Sequence, residues 1–353
     1  MTDLTRTLPA QSAELQRFYE EISGHGLAPL WESLHLLVTK TPASPAHPVK
    51  WDYDRTVRPC LMKAGQLITA KQAERRVLIL ENPGLRGKGA ITHSLYAGLQ
   101  LIMPGEIAPA HRHTQSALRF IIEGEGAYTA VNGERTLMKP GDFVLTPSWR
   151  WHDHGNETPE PMVWLDGLDI PLIGFFDASF SEAANVDTQP MKRPTDASLL
   201  QFGNNMFPVD WKPEDINSPL INYPYERSRE TLHSLVQNTD PDPAHGYKLR
   251  FVNPASGEYP MPTIGAFIQL LPAGFTSSRY RSTDGTVYSV VEGEGETTIG
   301  GVTFQWRPRD IFVVPSWLPH VHRATSDAVL FSFSDRPVHQ KLGFWREERS
   351  QAH

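Results

Sequence analysis

The sequence of 353 residues contains a single cysteine, Cys60. That excludes a disulfide framework within the chain and a thiolate metal site, so any metal must rest on histidine or carboxylate. No uninterrupted apolar run approaches the ~18 residues of a membrane helix. The opening stretch, MTDLTRTLPAQSAELQRFYEE, has no apolar signal core, and the expectation is a soluble, cytoplasmic protein. There is no basic block, and the net charge of -7 argues against a nucleic-acid partner. Small anions are not excluded, because a few local arginines outweigh a diffuse negative background.

Turn-forming residues, by contrast, are plentiful. The 30 prolines and 26 glycines are spread along the chain and favour short strands joined by tight turns. Residues 11–22 (QSAELQRFYEEI) space their apolar side chains for a helix, while 40–65 are proline-rich and read as an irregular wrapping arm. From about 75 to 170, segments such as SLYAGLQLIMP, ALRFIIEG and GDFVLTP are β-branched or aromatic runs broken by Gly, Pro and Asn-Gly. A second block of this kind runs from about 262 to 336, and two markers tie it to the first. EGEG stands at 123–126 and 292–295, and PSW at 147–149 and 315–317. The spacing differs by one residue, which indicates a repeated β domain. Between the blocks, 180–260 reads as a polar connector with a helix at 226–237.

The first block carries a histidine constellation. Gly105 is followed by five residues and then His111-Arg112-His113; Gly141 is followed by five residues, Pro147, and then His152 with Asn156 four further on. Residues i and i+2 of a strand face one side, so His111 and His113 present two imidazoles together and His152 supplies a third. Nitrogen-only ligation suits Fe, Zn, Cu or Ni better than Mg or Ca.

These motifs resemble those of the cupin superfamily, with one departure. The glutamate that commonly follows the second histidine is replaced by Ala117 or Leu118. Three neutral ligands leave coordination positions for a chelating substrate and dioxygen. The stretch from Ala110 to Asn156, with ERRVLILENPGLRG before it and WLDGLDIPL after it, is similar to the gentisate 1,2-dioxygenase family. That family includes relatives acting on salicylate and 1-hydroxy-2-naphthoate.

The resemblance implies an all-β bicupin: two jelly-roll (double-stranded β-helix) barrels with a short N-terminal helical arm and a partly helical linker. The expected division is 1–74 arm, 75–179 catalytic barrel, 180–260 linker, 261–345 second barrel without metal, and 346–353 tail. It further implies one Fe(II) per chain, a homotetramer, and a role in aromatic catabolism. Gentisate would open between its carboxyl- and hydroxyl-bearing carbons to give maleylpyruvate. Salicylate or 1-hydroxy-2-naphthoate cleavage, and a non-catalytic ligand-binding bicupin, are the alternatives.

Strand parity nominates the pocket. Gln115 and Arg119 share the parity of His111 and His113 if no bulge intervenes, and a buried Arg119 calls for an aromatic carboxylate or for Asp166. His154 has the parity of His152; it is a candidate hydrogen-bond donor, a proton acceptor for a phenol, or a wall of the pocket. Tyr96, Gly98 and Gln100 alternate on one strand, with Gly98 leaving room for a ring. Arg75 is a second candidate anion contact, chiefly by resemblance. In the second block Tyr280 and Ser282 replace His111 and His113, while His320 and His322 match His152 and His154. One ligand of three does not hold a metal, so one metal per chain is expected.

Overall fold

A computed structural model describes residues 12–204 and 206–350, and the chain divides into two compact units, Met1–Ala43 and Ser44–His353. In the first, the expected helix is Ala13–Gly24, with Ser12 as its cap; the Ser12 hydroxyl oxygen accepts from the Leu15 amide at 3.1 Å. Gln11 lies outside the described residues. A second helix, Leu30–Leu37, follows. Tyr19 joins the two helices, donating to Glu32 at 2.6 Å and accepting from the Trp31 indole at 2.8 Å.

The second unit contains two barrels, each made of a six-stranded and a five-stranded antiparallel sheet. In the first barrel the larger sheet places Ala117–Glu123 and Met162–Leu168 at its centre, beside Tyr96–Ile102 and Phe143–Thr146. The smaller sheet runs Ser181–Ala183, Ile107–His113, His152–Gly155, Tyr128–Val131, Glu134–Leu137. The second barrel repeats this order strand for strand.

Alternation along the central strands gives each larger sheet two uses. Residues of one parity, including Leu99, Leu118, Phe120 and Leu165, face the other barrel and join Val287, Phe331 and Phe333 in one buried cluster. Phe120 stacks on Phe331 at 4.0 Å with the rings 7° from parallel. Residues of the other parity line each barrel's interior: Trp164, Ile121 and Val144 in the first, Tyr288, Phe312 and Leu330 in the second. The sheets therefore pack back to back, and each barrel keeps its own mouth.

Segments expected to be irregular add strands at sheet edges. Val49–Trp51 pairs with Ile311–Val314 of the second barrel, and the proline-rich stretch then turns helical over Arg58–Leu67. From the connector, Ser181–Ala183 pairs with the strand carrying His111, Asn222–Tyr223 with Phe143–Thr146, and Tyr247–Arg250 with Gly265–Leu271. The connector helix is Tyr225–Asn238, and a shorter one, Ala197–Phe202, precedes it.

Candidate metal centre

His111 and His113 end the strand Ile107–His113, and His152 opens the neighbouring strand; His111 and His152 are direct partners across the ladder. A bulge between Ala108 and His111 shifts the register, which brings the His-Arg-His run level with His152. The three imidazoles offer ligand atoms all within 4.8 Å of one another. Their ring centroids lie 5.3, 4.3 and 4.8 Å apart.

Backbone carbonyls orient two of the rings. His113 Nδ1 donates to the Gln115 carbonyl and His152 Nδ1 to the Arg150 carbonyl, both at 2.9 Å, so each ring turns Nε2 inward. Burial and the neighbouring charge of Arg75 hold His111 down to about 2, and burial holds His113 down to about 4. Burial likewise holds His152 well below the usual imidazole range. His113 and His152 thus present neutral imidazoles with Nε2 lone pairs free, as a metal ion requires, and the three-nitrogen donor set fits one. Among the described residues no other group of three His, Cys, Asp or Glu side chains meets this condition.

Around the ligands, strand register assembles a polar lining. Arg119 and Asp166 are partners across two central strands, and Asp166 also faces Gly98. Arg119 is buried; it donates to Thr146 Oγ1 at 2.5 Å and to His154 Nε2 at 3.1 Å, while its Nε stands 3.6 Å from Asp166. Asp166 takes a hydrogen bond from the Trp164 indole at 3.0 Å. Burial pushes Asp166 up to about 6 and lowers Arg119, so desolvation outweighs their mutual attraction on both sides. This ion pair is long, and Arg119 Nε has no hydrogen-bond partner.

Arg75 is half-buried and reaches the metal-ligand strand, donating to the Pro109 carbonyl at 2.8 Å and approaching His111 Nδ1 at 2.6 Å. Burial and the charge of Arg119 lower it to about 9. Gln100 is buried, and Tyr96 is half-buried on the same strand. The room expected over Gly98 is taken up by two of the chain's own side chains. A Cβ there would stand 2.5 Å from Val77 Cγ1 and 2.7 Å from the Tyr96 hydroxyl. His154 is fully buried, with Nδ1 3.0 Å from Thr129 Oγ1.

Gln115 departs from the parity reading. Residues 114–116 form a corner between the two sheets, so strand parity does not run through them. The Gln115 side chain donates to Ser179 at 2.8 Å. Sequence reasoning missed Thr129 and Thr146, which touch His154 and Arg119 across neighbouring strands, and Trp164, which touches Asp166 along its own strand.

Two back-to-back antiparallel barrels, one of them with three convergent imidazoles, define a bicupin with a three-histidine site whose donor set fits a metal ion. The Cupin domain family matches residues 98–168 and 267–333. The chain is 56% identical over 342 residues to gentisate 1,2-dioxygenase 1 of Aquipseudomonas alcaligenes, covering 97% of this chain and 98% of that protein. It is 37% identical to 5-aminosalicylate 1,2-dioxygenase of a Comamonas species, covering 95% and 90%. The crystal structure of salicylate 1,2-dioxygenase from Pseudoaminobacter salicylatoxidans with gentisate superposes with a TM-score of 0.92 at 34% identity, covering 98% and 97%. The chain belongs to the gentisate 1,2-dioxygenase family of ring-cleaving dioxygenases.

Proposed function

We propose that this chain is an Fe(II)-dependent gentisate 1,2-dioxygenase, its catalytic barrel built on residues 75–179, with the barrel over 261–345 holding no metal. One observation carries the reading: two arginines stand beside the three-histidine cluster, Arg75 against His111 and Arg119 against the neighbouring His154. An anion is the natural partner for a buried guanidinium group, Arg119, whose one paired carboxylate stands 3.6 Å away, with a second, half-buried guanidinium near the same histidines.

His111, His113 and His152 would hold the iron, which supplies a template for the substrate and an electron path to dioxygen. The chain's own residues do the rest. Arg119 and Arg75 take the substrate carboxylate and fix the ring's register. His154 accepts the phenolic proton ortho to that carboxylate. Tyr96 and Gln100 offer polar contacts to the ring. Asp166 orients Arg119 from behind.

Oxygen uptake by iron-replete protein with gentisate, and formation of maleylpyruvate, tests this reading. Absence of uptake would leave a ligand-binding bicupin. Higher catalytic efficiency on salicylate or 1-hydroxy-2-naphthoate than on gentisate would move the chain to another branch of its family. A cytoplasmic homotetramer serving aromatic catabolism belongs to the same proposal. Its support is the family, and native mass spectrometry checks the assembly.

A further inference from the structure

Two aspartates stand at matching places in the two barrels, and neither does what its place suggests. Asp169 and Asp335 each follow a central strand and precede a short helix, Ile170–Phe175 or Arg336–Lys341. An aspartate there ordinarily caps the first helix amides, yet neither side chain caps its own helix. Both turn instead to a corner between sheets. Asp169 Oδ1 accepts from the Ser116 amide at 2.9 Å, and Asp335 Oδ1 from the Gly285 amide at 3.0 Å. The second oxygen of each reaches across to the other barrel. Asp169 Oδ2 accepts from the Thr263 hydroxyl and Asp335 Oδ2 from the Ser94 hydroxyl, both at 2.5 Å. The exchange is reciprocal, and both carboxylates are buried.

One consequence belongs to the first barrel alone. The Ser116 N–H and the Gln115 C=O are the two ends of one planar trans peptide group, so fixing the direction of the first fixes that of the second. The Gln115 carbonyl is the group that accepts from His113 Nδ1, at 2.9 Å. Asp169 therefore grips one end of a rigid unit whose other end holds a ring of the three-histidine cluster. In the second barrel Ser282 stands where His113 stands, so the matching grip of Asp335 on Gly285 ends on no imidazole.

We infer that Asp169 is a positioning residue for the metal ligand His113, acting through the peptide group between Gln115 and Ser116. That role rests on the reading of the three histidines as the iron site. Without the carboxylate, the buried Ser116 N–H loses its partner and the peptide is free to tilt, carrying the carbonyl away from the ring.

Fe(II) affinity of the full chain, measured anaerobically by competition with a chromophoric chelator and expressed per folded molecule, reads this without turnover. Asp169→Ala should weaken Fe(II) binding about ten- to a hundredfold. Asp169→Asn should stay within about threefold of wild type, because the amide oxygen accepts from Ser116 while its N–H meets Thr263. Asp335→Ala removes the matching grip, and Thr263→Val removes only the bond to the other barrel. Both should lower thermal stability and leave Fe(II) affinity per folded molecule unchanged. With iron saturating, Asp169→Ala should lower kcat and change the gentisate KM less than about threefold. Asp169→Leu fills the same space without an acceptor, and it takes the place of the alanine variant if that chain does not fold. Wild-type affinity in the folded alanine or leucine variant, an asparagine variant as weak as these, or an equal loss in Asp335→Ala would overturn the positioning role. Wild-type protein that binds Fe(II) and leaves gentisate untouched, with the affinities as expected, would remove the functional reading and leave the assignment of Asp169 standing.

Discussion

The two barrels share a frame and differ inside it. At both mouths an arginine lies between the two positions that are histidines in one barrel, and it packs on a tryptophan: Arg112 on Trp149 at 4.5 Å, Arg281 on Trp317 at 4.6 Å. Both tryptophans hold positive φ, 59° and 63°, and each donates its amide at 2.7 Å to the carbonyl of His113 or Ser282. Both arginines pair with a glutamate on an added edge strand, Glu182 or Glu348. These outward features repeat because they build the corner of the barrel. The inward features do not. Tyr280 replaces His111 and spends its hydroxyl on Glu347 and Arg336. Phe267 stands in the place of Gly98, and Tyr288, in the place of Arg119, stacks on Phe312 at 4.8 Å. At these positions the second barrel carries aromatic side chains where the first carries histidine, glycine and arginine. A handful of inward positions separates the barrel with a three-histidine cluster from the one without it.

Substitutions in both barrels can break or sharpen this comparison. The largest effect is expected at the ligands. His113→Ala should bring metal content near zero and lower turnover by more than about a thousandfold, whereas His320→Ala should leave metal stoichiometry and turnover unchanged. Metal analysis beside an oxygen-electrode assay decides it, and full activity in the His113 variant would remove it from the ligand set. Next comes Arg119→Ala, expected to raise the gentisate requirement about ten- to a hundredfold with the metal retained. Tyr288→Phe is the matching control and should change neither. Equal loss of metal and substrate affinity would make Arg119 structural.

The smallest effect is in stability against pH. Burial holds His322 well below the usual imidazole range. The unfolded chain therefore binds a proton below about pH 6.5 that the folded chain refuses, so stability falls as pH drops through that value. His322→Gln should flatten the dependence below about pH 6 by roughly 1.4 kcal/mol per pH unit, with activity intact. Urea titrations at several pH values measure the slope; an unchanged slope would mean that His322 is not held neutral.

Much of this was legible in the residues. Strand alternation suffices to bring His111 and His113 to one face, and the EGEG and PSW markers reveal the repeat. What escaped is geometry that alternation does not encode. The sheet corner at 114–116 resets the parity that Gln115 was read by. Arg75 reaches His111 across a sequence separation of 36 residues, a contact set by packing. The Thr129–His154 contact depends on register between separate strands. The added edge strands at 49–51, 181–183, 222–223 and 247–250 are each too short to show a period, and they become strands by pairing with an edge already formed.

The stacked rings of Phe120 and Phe331 carry a consequence for how this protein fails. With one apolar seam serving both larger sheets, neither barrel can melt without stripping cover from the other, and the two should denature as a single cooperative step. Damage in the barrel without a metal would then be felt as scarcity of folded enzyme rather than as altered chemistry. A survey of activity alone would score Phe331 beside the true ligands, and only activity per folded molecule would tell them apart.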